Sequence, residues 1–233
     1  MTRFLPIERS VLHSPAWFVP YDEFARRVTS AGVTVALDRL DGQVWEPTDV
    51  APVRTPSAAI AFPGLGRRLP AATRFRARFQ APGFQALYPA EGEPFASDAV
   101  GVEFLTHPYD ETSPPEAPAT PRLVRLLPAA SFAHPPGVRV VYGAVLDGNS
   151  GAAVPNALVS AEGTAGQDAV PWRERTLTDE RGGFRLALRW PGALAGGEEL
   201  FTLLAVERPG RSGSLAVRLP ADAGRRHVIE IVP

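Results

Sequence analysis

The chain has 233 residues, of which 45% are apolar and 21% charged, a balance typical of globular proteins rather than of disordered chains or coiled coils. The chain has 24 basic residues, all arginine, and 25 acidic residues, and the two signs are nearly equal in number in each half. Neither half is therefore predicted to be a basic nucleic-acid-binding module. No apolar stretch approaches the roughly 18 residues of a membrane-spanning helix. Proline and glycine together make up about a fifth of the chain, which favours short segments joined by turns.

Metal and thiol chemistry find little support in the sequence. Cysteine is absent, so no disulfide bond, thiolate metal site or cysteine nucleophile is expected. The four histidines lack the spacing of a metal site, and no cofactor is predicted. The segment Met1–Arg9 has no continuous apolar core and contains Glu8, unlike a signal peptide, so the expected location is the cytoplasm, with assembly into a particle as an option.

Alternation of apolar and polar residues dominates the chain and predicts β-strands. The clearest case, Thr73–Phe79, alternates phenylalanine or alanine with arginine, so that one face is apolar and the other basic. The segment Asp22–Ser30 is the one helical candidate, but it is short, and a strand end followed by a turn is preferred. The other predicted strands are Val33–Leu37, Val138–Val145, Gly183–Trp190, Leu200–Val206 and Val228–Val232.

A proline-rich segment, Pro108–Pro121, divides the chain, with five prolines in fourteen residues. Proline fixes φ and cannot donate a ladder hydrogen bond, so an extended polyproline II conformation is expected. Such a run forms a semi-rigid spacer between domains, which is the preferred interpretation. The alternative is a ligand for an aromatic groove, because Pro115 and Pro118 have the required spacing.

The halves on either side of this segment look like two copies of one plan. Asp22 precedes Thr55 by 33 residues, and Asp147 precedes Thr178 by 31. The sequence therefore predicts an all-β fold with two tandem β-sandwich domains. The predicted boundaries are residues 1–18 for an N-terminal arm, 19–107 for the first β-sandwich, 108–137 for the Pro-rich linker and connector, and 138–233 for the second β-sandwich.

Three segments of the second half carry a family pattern: Val141–Asp147, Gly151–Val159 and Thr178–Leu186, the last containing Thr-Asp-x-x-Gly-x-Phe. They resemble the carboxypeptidase regulatory-like domain. The resemblance implies a transthyretin-like sandwich of seven or eight strands, in a family whose peptidase chemistry belongs to a separate catalytic domain. The predicted fold class is therefore two tandem transthyretin/immunoglobulin-like β-sandwich domains joined by a Pro-rich linker.

Two further resemblances concern the first half and the connector. The segment Thr55–Phe62 stands where the Thr-Asp-x-x-Gly-x-Phe pattern would be, without its glycine, and only the fold is inferred from it. The connector Leu123–Gly137 is similar to segments of two-sandwich proteins encoded with phage-tail-like contractile injection particles. This likeness implies a structural role in such a particle.

Basic residues cluster between Gly64 and Arg78, without an acidic residue among them. If the phenylalanines of this strand face the core, three arginines line its other face and suit docking onto an acidic protein surface or a phosphate backbone. The alternative is a strand face balanced by Asp or Glu on neighbouring strands. The candidate partner-binding arginines are Arg67, Arg68, Arg74, Arg76 and Arg78.

Aromatic residues supply the other candidate sites. Trp17, Phe18 and Tyr21 are candidates for an N-terminal docking arm, with burial in the core as the competing interpretation. A sugar-binding platform would draw on the remaining tryptophans. These are Trp45, Trp172 and Trp190.

The densest polar cluster surrounds His107. A general base at His107 would be oriented by Asp110 or Glu111, whereas the preferred interpretation is the exposed end of a strand. No catalytic or metal-binding residue is therefore predicted.

The predicted function is that of a non-catalytic structural or adaptor protein that docks on other protein subunits of a larger assembly, such as a contractile injection particle. Copies of the same chain are a further possible partner, and neither nucleic acid nor a membrane span is expected. The alternative is a β-sandwich module that binds a carbohydrate or another ligand.

Overall fold

The predicted all-β class is confirmed by a computed structural model, which describes residues 13–67, 69–88, 93–110, 112–113, 115, 120–165, 170–189 and 199–233. Within these residues the chain forms strands in four sheets and no helix. Turns at glycine and proline separate the strands. The loop Pro209-Gly210, for example, joins two long strands, and Gly210 has a φ of 78°, which favours glycine.

The first strand set forms sheets A and B. The strands of this set are β1 (Trp17–Asp22), β2 (Arg27–Val28), β3 (Thr34–Asp41), β4 (Val44–Pro47), β5 (Val53–Arg54), β6 (Ile60–Ala61), β7 (Thr73–Gln80), β8 (Phe84–Ala86), β9 (Val102–Thr106) and β10 (Arg122–Pro128). Sheet A has the order β5-β6-β1-β10-β8, with β2 paired to β1, and sheet B has the order β4-β3-β7-β9.

The second strand set forms sheets C and D. The strands of this set are β11 (Arg139–Asp147), β12 (Leu158–Ala165), β13 (Val170–Leu177), β14 (Gly183–Leu188), β15 (Glu199–Arg208), β16 (Arg211–Leu219) and β17 (Arg226–Ile231). Sheet C has the order β14-β11-β17, and sheet D has the order β13-β12-β15-β16.

Both strand sets repeat one order of pairing. In the first set β1 pairs antiparallel with β6 and parallel with β10, just as β11 pairs antiparallel with β14 and parallel with β17 in the second. Sheets B and D are each a four-strand antiparallel sheet in which the hairpin β3-β4 corresponds to β12-β13, β7 to β15, and β9 to β16. The two-copy plan read from the sequence therefore has a counterpart in strand order.

Each strand set surrounds its own cluster of buried side chains, contributed by both of its sheets. This arrangement is consistent with a β-sandwich. Phenylalanines dominate the first cluster, where the ring of Phe18 meets those of Phe62, Phe79 and Phe104 at 5.3–6.3 Å. The second cluster is mainly aliphatic and includes Val145, Val159, Leu186, Leu203, Val217 and Ile229.

Two segments lie elsewhere than their sequence pattern indicated. Arg122–Pro128, expected in the connector, is strand β10 and pairs with β1 and β8 inside sheet A. Trp17 and Phe18, expected in an N-terminal arm, belong to β1, which β10 and β6 flank. Both segments contribute to the first cluster, Phe18 from β1 and Val124 and Leu126 from β10, so these side chains are in the core. Parts of Pro108–Pro121 lie outside the described residues.

Candidate functional site

The arginines of β7 do not form an open basic face. Arg76 and Arg78 both donate to the buried carboxylate of Asp38 on β3, with nitrogen–oxygen distances of 2.8–3.1 Å. Burial alone would raise the pKa of Asp38, but the hydrogen bonds and charges of Arg78 and Arg76 outweigh it and lower that pKa. The arrangement matches the alternative in which a neighbouring strand balances the arginines.

Of the other candidate arginines, Arg74 lies on β7 and Arg67 in the turn before it. Arg74 is exposed and lies 3.8 Å from the carboxylate of Glu103 on β9. Arg67 is in the turn before β7, where its backbone N–H donates to Gly64. Arg68 lies outside the described residues. Of the four candidate arginines that the structure describes, Arg76 and Arg78 lie together, and both bind an acidic residue of the chain itself.

The aromatic residues of the predicted arm are part of the fold. Phe18 is fully buried, while Trp17 and Tyr21 are half-buried on the same strand. The guanidinium of Arg125 on β10 lies over the ring of Tyr21, 5.6 Å from its centroid. Of the three residues, Phe18 therefore has no side-chain surface to offer a partner.

The two candidate tryptophans that the structure describes lie in different strand sets. Trp45 on β4 is covered by the guanidinium of Arg76, 4.5 Å from the ring centroid. Trp172 on β13 belongs to the second strand set and packs edge-on against Phe201 of the same set. Trp190 lies outside the described residues.

The polar segment after β9 forms a turn. The carboxylate of Asp110 accepts hydrogen bonds from the backbone of Thr112 and Ser113 and from the Thr112 hydroxyl, at 2.6–2.8 Å. These hydrogen bonds lower the pKa of Asp110. Glu111 lies outside the described residues, and His107 is exposed. Among the residues that the structure describes, no group of three or more acidic or histidine side chains is placed to hold a metal ion.

A cavity of about 420 Å³ lies between β7, β8 and residues 95–100 of the first strand set and Asn156 and Leu177 of the second. Its lining includes Phe84, Tyr88 and Leu177. Burial raises the pKa of Tyr88 to about 12, and its hydroxyl accepts the backbone N–H of Phe79 at 2.7 Å. Tyr88 therefore stays protonated at neutral pH and serves as a structural hydrogen-bond acceptor.

Glu23 joins the two strand sets, and the sequence did not single it out. Its carboxylate accepts hydrogen bonds from Arg125 of β10 at 2.9 Å and from Arg175 of β13 at 2.6 Å. Burial alone would raise the pKa of Glu23, but the hydrogen bonds and charges of Arg175 and Arg125 lower it. The sequence shows only that charged residues occur in otherwise apolar strands. Which of these charges pair depends on how the sheets pack, so the sequence could not identify Glu23.

Glu174 forms a second ionic group beside Glu23. Its buried carboxylate accepts hydrogen bonds from Arg189, and Arg26 lies 3.5 Å away. Burial raises the pKa of Glu174, and the charges of Arg189 and Arg26 compensate only in part. Arg189 also donates to the backbone oxygen of Phe24, so this group too connects the two strand sets. We call these two groups together the ionic seam.

The outer face of sheet D carries exposed leucines and a single arginine along two neighbouring strands. Leu200 and Leu204 on β15 are 68% and 41% exposed, whereas the alternate residues Phe201 and Leu203 are buried. Strand β16 places Ser214 opposite Leu204 and the exposed Arg218 opposite Leu200. We call this surface the β15–β16 face, and its members are Leu200, Thr202, Leu204, Val206, Ser212, Ser214, Ala216 and Arg218.

Comparison with known proteins gives no family for the chain. No family model matches it, and no curated protein matches it. Among solved structures it is similar to a Streptococcal ancillary pilin, with 11% identity and a TM-score of 0.28. The likeness covers 93% of this chain and 61% of that chain, so the chain spans about three fifths of that structure's length. The described residues contain no helix that could cross a membrane.

Proposed function

We propose that the protein is a non-catalytic structural protein that binds other protein subunits, and that it does so through the β15–β16 face. The observation that carries this proposal is the pair of exposed leucines, Leu200 and Leu204, on a strand face whose one charged member is Arg218. Single exposed leucines are ordinary on protein surfaces. Two on one face, beside serine, threonine and alanine and with one arginine at the end, are typical of interfaces, which are depleted of charge at the centre and enriched in arginine.

The position of this face also supports a structural role. Strand β15 lies inside sheet D, hydrogen-bonded to β12 and β16, so its outward side chains stand on a supported surface. The ionic seam ties the same sheet to the first strand set through Glu23 and Arg175. A partner bound at this face would therefore be held at a defined position relative to both strand sets.

The test is site-specific photo-crosslinking in the cells that produce the protein. A benzophenone amino acid is placed at Leu200, and in a control chain at Leu105, which is similarly exposed on β9. We expect a discrete adduct with one protein from position 200. The Leu204→Glu substitution should reduce its yield at least tenfold, because it introduces an unpaired charge into the buried interface.

The control position decides the outcome. No discrete adduct from position 200, or the same adduct from position 105, would overturn the proposed interface. An adduct with a second copy of the chain would identify the partner as the protein itself.

We propose in addition that the two strand sets are tandem β-sandwich domains of the transthyretin-like kind. The repeated seven-strand order and the separate buried clusters support this proposal. The first domain would then extend through β10, beyond the proline-rich segment Pro108–Pro121. The cytoplasm is the proposed location.

The finer assignment, a subunit of a phage-tail-like contractile injection particle, rests on the sequence likeness of Leu123–Gly137. Mass spectrometry of purified particles tests it, because a subunit should be present in a fixed ratio to sheath protein. Its absence from intact particles would contradict the assignment.

A further inference from the structure

A small cleft opens at the ionic seam between the first strand set and sheet D. Its volume is about 220 Å³. Tyr21 and Trp172 contribute aromatic walls, and Glu23 is the one acidic residue in its lining. The arginines that line the cleft are Arg26, Arg125, Arg173 and Arg189.

Two of these arginines have fixed partners. Arg125 donates to Glu23 at 2.9 Å, and Arg189 donates to Glu174 and to the backbone of Phe24. Both guanidiniums are largely buried and therefore hold positive charge at the base of the cleft. Arginine stays charged at any physiological pH, so this charge is permanent.

The other two arginines have long, weak ionic contacts. Arg26 is 60% exposed and lies 3.5 Å from Glu174, whose carboxylate Arg189 already engages. Arg173 is 50% exposed and lies 3.8 Å from Glu162, which is itself exposed. The pair Arg173–Glu162 is exposed on both sides and contributes little to stability, so the Arg173 guanidinium can turn toward a ligand at small cost. Arg26 stays beside the buried Glu174, and its exposed guanidinium can meet a ligand from there.

The charge around the cleft is unbalanced. The four lining arginines and Arg175 face the carboxylates of Glu23, Glu174 and Glu162, which leaves two positive charges in excess. The whole chain carries a net charge of −1, so this excess is local. Positive charge beside aromatic walls attracts an anion more strongly than the same charge in open water.

We propose that this cleft binds a carboxylate of an acidic segment on the partner protein. The forked donors of Arg26 and Arg173 match the two oxygens of a carboxylate, and Trp172 and Tyr21 provide surface for the methylene groups. This inference rests on the proposed function, because it names the chemistry of that partner. A nucleic acid fits less well, since its phosphates need a longer basic track than one cleft of this size.

The test is a titration of the full-length, isotope-labelled protein with the peptide acetyl-Gly-Glu-Glu-Gly-amide, followed by NMR. We expect shifts of the indole signal of Trp172, which weaken as salt is raised. The double variant Arg26→Gln/Arg173→Gln should bind at least tenfold more weakly. The matched control is Arg39→Gln/Arg74→Gln, whose arginines are 48% and 58% exposed and lie 3.7 and 3.8 Å from carboxylates outside the cleft.

Three results would overturn the assignment. These are equal binding of the glutamine peptide acetyl-Gly-Gln-Gln-Gly-amide, equal loss in the control variant, and tighter binding of inorganic phosphate than of the glutamate peptide. The Leu204→Glu variant separates this inference from the proposed function. Peptide binding that survives in Leu204→Glu supports the cleft as a carboxylate site even if the crosslinking experiment fails. Loss of the crosslink with unchanged peptide binding would show that the cleft and the β15–β16 face bind independently.

Discussion

Ala58 adopts a backbone conformation that normally belongs to glycine. Its φ is 64°, and the residue lies in the turn before β6, where Thr55 N–H donates to the carbonyl of Ala59. The corresponding turn before β14 has Gly182 at that place, with a φ of 71°, and Asp179 N–H donates to Gly183. The glycine missing from the first copy of the sequence pattern is thus replaced by a strained alanine.

We expect Ala58→Gly to stabilise the protein by about 0.5–1 kcal/mol. The left-handed conformation costs a non-glycine residue roughly 1–2 kcal/mol, from which the greater chain entropy of glycine in the unfolded state subtracts part. Urea unfolding measures the change. Gly182→Ala is the converse variant and should be destabilised, because its new Cβ would lie 2.6 Å from the carbonyl oxygen of Val145. A lower stability for Ala58→Gly would contradict this account of the turn.

At the scale of the element, β10 shows where reasoning from alternation fails. Its sequence, Arg-Leu-Val-Arg-Leu-Leu-Pro, does not alternate strictly, because Leu126 and Leu127 are adjacent and both buried. A strand that pairs in parallel with β1 and is covered on both faces needs no polar face. Strand β7 has an apolar, buried face and an arginine face, so it alternates, and it was predicted correctly as Thr73–Phe79.

Leu126→Ala should destabilise the protein by about 2–5 kcal/mol, the usual cost of a cavity in a packed core. Leu123→Ala on the same strand should change stability little, since Leu123 is exposed. Chemical denaturation of both variants measures the difference. Similar small effects at the two positions would contradict the place of β10 in the core and favour a connector.

At the scale of the whole molecule, several polar contacts join the two strand sets. The Thr176 hydroxyl donates to the carbonyl of Pro128 at 2.9 Å, and the Ser97 N–H donates to the carbonyl of Glu207 at 2.8 Å. Glu23 adds a carboxylate shared by arginines of both sets. Buried charges of this kind are costly to leave unpaired, so the contact favours one relative arrangement of the strand sets.

Glu23→Gln should lower the free energy of unfolding by about 3 kcal/mol at neutral pH, because Arg125 and Arg175 lose a buried partner. The folded pKa of Glu23 lies below its ordinary 4.5. Its stabilising effect is therefore complete above that value and disappears as the pH falls through the lower folded pKa. Calorimetry from pH 7 to pH 3 should show that the difference in free energy of unfolding between wild type and Glu23→Gln becomes smaller as the pH falls.

The matched control for this prediction is Glu46→Gln. Glu46 is exposed and lies 3.7 Å from Arg39, so its loss should shift the melting temperature very little. If the difference in free energy of unfolding between wild type and Glu23→Gln stays constant down to pH 3, the ionised carboxylate of Glu23 is not the source of the stabilisation.

The sequence by itself determined the all-β class and predicted the strands β3, β7, β11, β14, β15 and β17, because apolar alternation, glycine and proline act through neighbours along the chain. It did not predict the long strands β12, β13 and β16. It also indicated the repeated plan, which the strand order reproduces. The tertiary structure alone decided which charges meet. It places Asp38 under Arg76 and Arg78, and Glu23 between Arg125 and Arg175, pairs that are at least 38 residues apart in sequence. Such contacts depend on strand register and sheet packing, which no local pattern of residues encodes.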